Sequence, residues 1–246
     1  MRLEMDCIPC VQQQALNAIR FNIDDRETEK MVLKEVMDEL IDMDWDKTPP
    51  ELSHEAHSIV REEIQINDPY KEVKKKYNDH GLEILPEMAN VLEQSDDRLE
   101  TATRISIAGN IIDFGAVDEE DLEVRKTIAE VLDKKIAIDN FKEFTERIED
   151  PDTENLLIFV DNTGEVVFDK LLIEEILKRR KQKNLNEFSR ITVVVKGGPI
   201  LNDATKEDTE YVGFTELPNI KYKEISNGDS NTGPPRASKK VEKWIN

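Results

Sequence analysis

Apolar residues along the first two-thirds of the chain recur three and four residues apart, and the breaks between these stripes fall on turns rich in proline or glycine. Ala15, Leu16, Ala18 and Ile19 mark a helix over 11–20, and Met31, Val32, Val36, Met37, Leu40 and Ile41 mark a second. Thr48-Pro49-Pro50 interrupts the pattern, which predicts a new helix from near Ser53. Pro69-Tyr70 punctuates again, before a lysine-rich helix start and a periodic stretch from Leu82 to Leu92. A further helix is expected from about Leu99 to Ile112, stopping at Gly109-Asn110 or a little beyond, at Gly115. Acidic residues at 118–121 open another toward Leu132, and 141–148 reads as one more.

The period changes near residue 155. Leu156-Leu157-Ile158-Phe159-Val160 is a short continuous apolar run, the pattern of a strand buried on both faces, and it ends in Asp161-Asn162-Thr163-Gly164-Glu165. A helix follows, with Phe168, Leu171, Leu172, Ile176 and Leu177 apolar and a basic last turn that suits the helix dipole. The run 191–195 is a second strand, ending in Lys196-Gly197-Gly198-Pro199; strand, helix, strand is a βαβ unit with parallel strands. A third, weaker strand is expected at 220–225. The reading is an α/β fold: a helical N-terminal domain over 1–97 and an α/β core over 98–246.

Charge narrows the partners. The 246 residues carry 54 Asp and Glu against 34 Lys and Arg, a net charge of −20, which disfavours nucleic acid and anionic membranes. No apolar run is long enough to cross a bilayer, and the N-terminus does not resemble a signal peptide. Cys7 and Cys10, the two ends of one Cys-Ile-Pro-Cys motif, are the only cysteines, so no disulfide framework is expected and the compartment reads as reducing and cytoplasmic.

In open α/β sheets the functional crevice lies beyond the carboxyl ends of the strands. Two strands here end in polar clusters: Asp161, Asn162 and Glu165 after one, Lys196, Asn202 and Asp203 after the next. Carboxylate and amide oxygens suit a hard divalent cation such as magnesium or manganese, able to orient a phosphate. The same residues also suit a helix cap and a Gly-Pro turn, and both readings stand at this level. Asn110 and Asp113 of Gly109-Asn110-Ile111-Ile112-Asp113-Phe114-Gly115 either cap a helix or face the same crevice. Cys7 and Cys10 offer half a zinc site or a redox pair. His54 and His57 are three apart, where a zinc-protease motif needs four, so protease chemistry is not expected.

Five motifs in order carry a family resemblance: Asp6-Cys7-Ile8-Pro9-Cys10, Asp68-Pro69-Tyr70, the segment 109–115, Asp161–Glu165 as DNTGE, and the KGGPILNDAT at 196–205. The chain resembles the damage-control phosphatases, in the microbial branch with an N-terminal CxxC motif. The resemblance implies a Rossmann-like three-layer α/β/α core carrying a mostly helical N-terminal domain. It implies metal-dependent hydrolysis of small phosphate monoesters, sugar phosphates or damaged phosphometabolites. Asp161, Asn162 and Asp203 become the catalytic metal ligands, for magnesium, manganese, cobalt or nickel. Asn110, Asp113, Glu165 and Lys196 become substrate-binding residues of the crevice. The role of Cys7 and Cys10 follows neither from the family nor from spacing.

One departure stands out. Members of the family continue past the Asn-Gly-Asp-Ser segment to a glycine-rich loop of the form KGxxN, which residues 234–246 do not match. The C-terminus therefore reads as truncated, which carries two expectations: self-association through an exposed sheet edge, and, as the alternative function, a catalytically impaired relative that binds metal or metabolite without turnover.

Overall fold

The computed structural model describes residues 2–111 and 121–225, with the backbone alone for 121–125. Asp113 and the segment 226–246, and with it the expectation about the C-terminus, lie outside the described residues. The chain forms two compact units, discontinuous in sequence: one takes the residues up to Val73 and Lys196–Thr205, the other Lys74–Val195 and Lys206–Lys223. The sequence division at 97/98 cuts once along the chain, whereas the second unit begins inside a helix and is interrupted by ten residues of the first.

The first unit is built on three helices: α1 (Cys7–Arg20), α2 (Arg26–Ile41) and α3 (Pro49–Ile64). Each buries one stripe: Val11, Ala15, Ala18 and Ile19 on α1, Val32, Val36 and Leu40 on α2, Leu52, Ala56, Val60 and Ile64 on α3. Their ends are chemically specified. Asp25 accepts the Thr28 N–H at 2.9 Å to start α2, and Thr48 with Glu51 forms a capping box that starts α3. That box corrects the expected start near Ser53. Pro49 and Pro50 occupy the first turn, where the absent N–H groups would have had no helical partner, so they begin the helix rather than precede it.

The second unit contains most of α4 (Lys71–Glu93), then α5 (Arg98–Ile111), α6 (Asp121–Asp133), α7 (Phe141–Ile148), β1 (Asn155–Phe159), α8 (Glu165–Gln182), β2 (Arg190–Val195), α9 (Lys206–Tyr211), a 3-10 turn and β3 (Ile220–Glu224). The helix α4 runs through Pro86, which costs it one backbone donor, so the lysine-rich start and the later apolar stretch are one element. The mixed α/β class holds: β1 and β2 pair in parallel, Leu156 beside Ile191 and Phe159 beside Val194, with α8 as the crossover. Strand order is β1-β2-β3.

Centre and edge differ in burial. β2 is buried from Ile191 to Val195, whereas β1 is only half-buried and Phe159 is 43% exposed. The apolar run of β1 therefore does not mark a strand covered on both faces, as its sequence predicts. With a neighbour on one side only, β1 is an edge strand of the described sheet. The interior of this unit is otherwise centred on α8, which buries residues around most of its circumference, among them Val166, Val167, Phe168, Ile173 and Ile176.

Candidate active site

The DNTGE segment leaves the carboxyl end of β1 and turns directly into α8. The turn depends on Gly164, whose backbone sits at φ 83°, ψ −57°, a strained tight-turn conformation that excludes a Cβ at little cost only for glycine. Helix α4 supports this turn from behind. The buried Asn78 side chain accepts the Gly164 N–H at 2.9 Å, and a Cβ on Gly81 would lie 2.9 Å from the Gly164 carbonyl oxygen. The turn is thus held by an amide eighty-six residues away in sequence and by the missing side chain of a helical glycine.

Four of the expected site residues meet here. Glu165 Oε2 accepts from Asn110 Nδ2 at 3.0 Å, from Asn162 Nδ2 at 3.1 Å and from the Asn162 backbone N–H at 3.3 Å. Asn162 Nδ2 also reaches Asp161 Oδ2 at 3.4 Å. Glu165 is buried, and burial pushes its carboxyl above the ordinary range against the two amides, with the Asp161 charge adding to the rise. One turn further along α8, Asp169 is 5% exposed and accepts the Ser106 hydroxyl at 2.6 Å. Burial pushes the Asp169 carboxyl up to about 7; the serine opposes this, and the charges of Glu165 and Asp161 add to it.

Asn110 reaches this cluster because α5 approaches α8 closely. A Cβ at Gly109 would lie 2.9 Å from Phe168 Cδ2 and 3.3 Å from Glu165 Cα. Gly109 is therefore a contact glycine inside a helix described to Ile111, within the range expected for its end at or a little beyond Gly109-Asn110. Glycine serves here by its size, not by a left-handed cap.

Lys196 and Asp203 belong to the other unit, on the segment that follows β2. This segment closes on itself: the Lys196 N–H donates to the Ala204 carbonyl at 3.1 Å, Lys196 bridges Thr205, and Lys196 Nζ pairs with Asp203 Oδ2 at 3.2 Å. Its corner is Leu201, a non-glycine residue at φ 45°, whose side chain packs on the three-helix core. Asp203 is thus positioned beside a lysine, both side chains partly exposed.

The donor chemistry fits a hard divalent cation. Asp161 offers carboxylate oxygens, and the Asn162 amide, its NH2 held by Glu165, has an oxygen to offer. Among the described residues no three His, Cys, Asp or Glu side chains converge to hold a metal, so a cation at Asp161 and Asn162 would need phosphate and water to complete its shell. That is the manner in which magnesium is commonly bound. Cys7 and Cys10 stand on the first turn of α1, in the first unit.

Sequence reasoning missed Asn78, Ser106 and Asp169. A signal existed for the first. Positions 74, 78, 81, 84, 88 and 92 are the buried line of α4, and a lysine, an asparagine and a glycine interrupt its apolar pattern at their place on the stripe.

Residues 3–239 match the model of the damage-control phosphatase ARMT1-like domain. An uncharacterized protein of Methanocaldococcus jannaschii is 30% identical over 223 residues, 89% of this chain and 70% of that protein. A damage-control phosphatase of Archaeoglobus fulgidus is 34% identical over 182 residues, 74% of this chain and 59% of its own length. Another, PH1575 of Pyrococcus horikoshii, is 28% identical over 242 residues, 96% of this chain and 76% of that one. The crystal structure of the latter, a DUF89 family protein, superposes with a TM-score of 0.78 at 22% identity, over 100% of this chain and 81% of that chain. The chain belongs to the damage-control phosphatase ARMT1-like domain family.

Proposed function

We propose that the protein is a divalent-metal-dependent phosphatase acting on small phosphate monoesters, sugar phosphates or damaged phosphometabolites. The observation that carries this reading is the cluster of Asp161, Asn162, Glu165 and Asn110 where β1 turns into α8, in a chain of this family. Asp161, Asn162 and Asp203 are the proposed ligands of a magnesium, manganese, cobalt or nickel ion. When bound, such an ion supplies Lewis-acid polarisation of a phosphoryl oxygen. The chain's own groups do the rest. Glu165, held by the two amides, fixes Asn110 and Asn162 in place. Lys196 supplies a positive charge that neutralises what develops on the transferring phosphoryl group. The dipole of α8, whose N-terminus lies at this turn, favours an anion there.

The test is hydrolysis of an aryl phosphate by the purified protein across magnesium, manganese, cobalt and nickel, with EDTA as control. Turnover that appears only with metal is the expected result. Silence with every metal, from a folded protein whose melting temperature still rises with one of them, would instead favour a relative that binds without turning over.

A further inference from the structure

Cys7 and Cys10 are free thiols on one face of the first turn of α1. Their surroundings differ in a useful way. Cys10 is exposed, while Cys7 is half-buried and packs with Ile8 against the three-helix core. Each sulfur also receives an N–H group: the Glu4 backbone N–H points at Cys7 Sγ at 3.5 Å, and Gln14 Nε2 at Cys10 Sγ at 3.4 Å. Gln14 is itself fixed from a second helix and a loop. Ser53 Oγ donates to its Oε1 at 3.0 Å, and the Tyr70 hydroxyl donates to its backbone oxygen at 3.2 Å.

Asp6 at the N-cap has helical dihedrals, φ −68° and ψ −16°, and caps no N–H with its side chain. The approach to the helix is already wound with three-residue hydrogen bonds, Cys7 N–H to the Glu4 oxygen at 2.9 Å and Ile8 N–H to the Met5 oxygen at 3.2 Å. Pro9 contributes no N–H to resist such winding. In a turn of that type residues three apart eclipse one another, which brings two Cβ atoms toward the roughly 3.5–4.5 Å separation of a disulfide. The first turn of α1 holds no acidic residue. Among the described residues no third His, Cys, Asp or Glu side chain joins the two sulfurs as a metal ligand would.

We propose that Cys7 and Cys10 form a thiol–disulfide exchange site whose substrate class is a low-molecular-mass disulfide. The exposed Cys10 thiolate attacks one sulfur of the disulfide, forming a mixed disulfide and expelling one thiolate. Cys7, deprotonated in turn, attacks the Cys10 sulfur and expels the second. One sulfur–sulfur bond breaks and one forms; two electrons pass from the cysteine pair to the small disulfide, and the two protons lost by the cysteines end on the two released thiols. This site is independent of the phosphatase reading.

The test uses the reduced full-length protein, mixed with glutathione disulfide, quenched at intervals by alkylation and read by intact mass. Wild type is expected to pass to a form lighter by two hydrogens, with two glutathione thiols released per chain. Cys7→Ser is expected to stop at a stable glutathione adduct on Cys10 with one thiol released, and Cys10→Ser to react about tenfold or more slowly. Wild type that stops at the adduct, or that reacts no faster than the same chain unfolded in urea, would overturn the proposal. So would stoichiometric zinc in the purified wild type that Cys7→Ser loses. Because the decisive arm is wild type, poor folding of a variant leaves the proposal falsifiable.

Discussion

The interiors of the two units are made of different material. Around α1, α2 and α3 the buried side chains are mostly aliphatic, joined by Met43 and the aromatic Tyr70, and the described buried polar residues are Ser53 and His57. In the other unit the described interior holds Lys74, Asn78, Glu165, Asp169, Glu175, Arg180 and Asp208 among its buried groups. Burying charge is costly unless each group is matched. Here the matches are specific: Lys74 Nζ sits 3.1 Å from Asp208, and Arg180 donates to the carbonyls of Ile148, Asn186 and Asp150 while its guanidinium lies 4.3 Å over the Phe188 ring. The difference teaches where order is needed. An apolar bundle is satisfied by shape, whereas a unit with buried charge is fixed in orientation, and the carboxylate–amide cluster of the candidate site is part of that fixed interior.

Breaking one matched pair should have the largest effect on stability. Glu175 is 2% exposed and takes two hydrogen bonds from Arg98, each 2.8 Å, and one from Lys178 at 2.7 Å. Burial pushes its carboxyl up, but Arg98 and Lys178 together outweigh burial and hold it below its usual range. Arg98→Met is expected to cost about 3 kcal/mol at neutral pH, at the low end for a broken buried pair because Lys178 remains. The sign with pH follows. Without Arg98 the folded-state pKa of Glu175 rises, so the deficit shrinks as pH falls and the carboxylate takes up a proton. Urea unfolding of both proteins at pH 7 and pH 5 measures this, and an equal deficit at both would count against it.

Asn78→Ala sharpens the comparison at the site itself. It removes the acceptor for the buried Gly164 N–H without touching a proposed ligand. Metal-dependent turnover, or metal affinity, is expected to fall about 10–100-fold, as for other groups that orient ligands. A variant with wild-type affinity would show that the turn holds its shape unaided.

Gly109→Ala tests whether α5 and α8 need their close approach. The added methyl meets a Phe168 ring carbon at 2.9 Å, and overpacking of this kind costs about 1–3 kcal/mol. Thermal unfolding should show a lower melting temperature; a higher one, from helix propensity alone, would contradict the packing role.

The pH dependence of stability separates the units by its sign. The folded state raises Asp169 to about 7, so it holds a proton that the unfolded chain has lost, and stability declines as pH rises from about 4 to about 7. Burial lowers His57 to about 4, with the charges of Arg61 and His54 contributing, so the unfolded chain binds the extra proton and stability declines as pH falls from 6.5 toward 4. Asp169→Asn should flatten the alkaline side, raising the melting temperature at pH 8 by about 2–4 °C per kcal/mol relieved. His57→Phe should flatten the acid side. Melting curves from pH 4 to pH 8 test both, and a variant whose curve parallels wild type would fail its prediction.

Much of this was legible from sequence because periodicity reports burial directly. The helices of the first two-thirds, the two parallel strands and the crossover follow from spacing alone, and five ordered motifs carried the family. What escaped did so for physical reasons. Proline at a helix start and proline before one look alike until the capping box of Thr48 and Glu51 is seen. Gly109 as a contact glycine and Gly109 as a cap are the same letter, separated only by a neighbour fifty-nine positions away in Phe168. The edge position of β1 is a property of the sheet, invisible in a run of apolar residues. Asn78 and Asp169 act through partners distant along the chain, Gly164 and Ser106, so no local pattern reveals them.

The central claim is that Asp161 and Asn162 form the core of a cation site. Calorimetric titration of manganese into the full chain, beside Asp161→Asn, tests it most directly, since the substitution keeps the shape of the side chain and removes its charge. One saturable site is expected in wild type, weakened about 100-fold or more in the variant. Equal binding by the two proteins would contradict it.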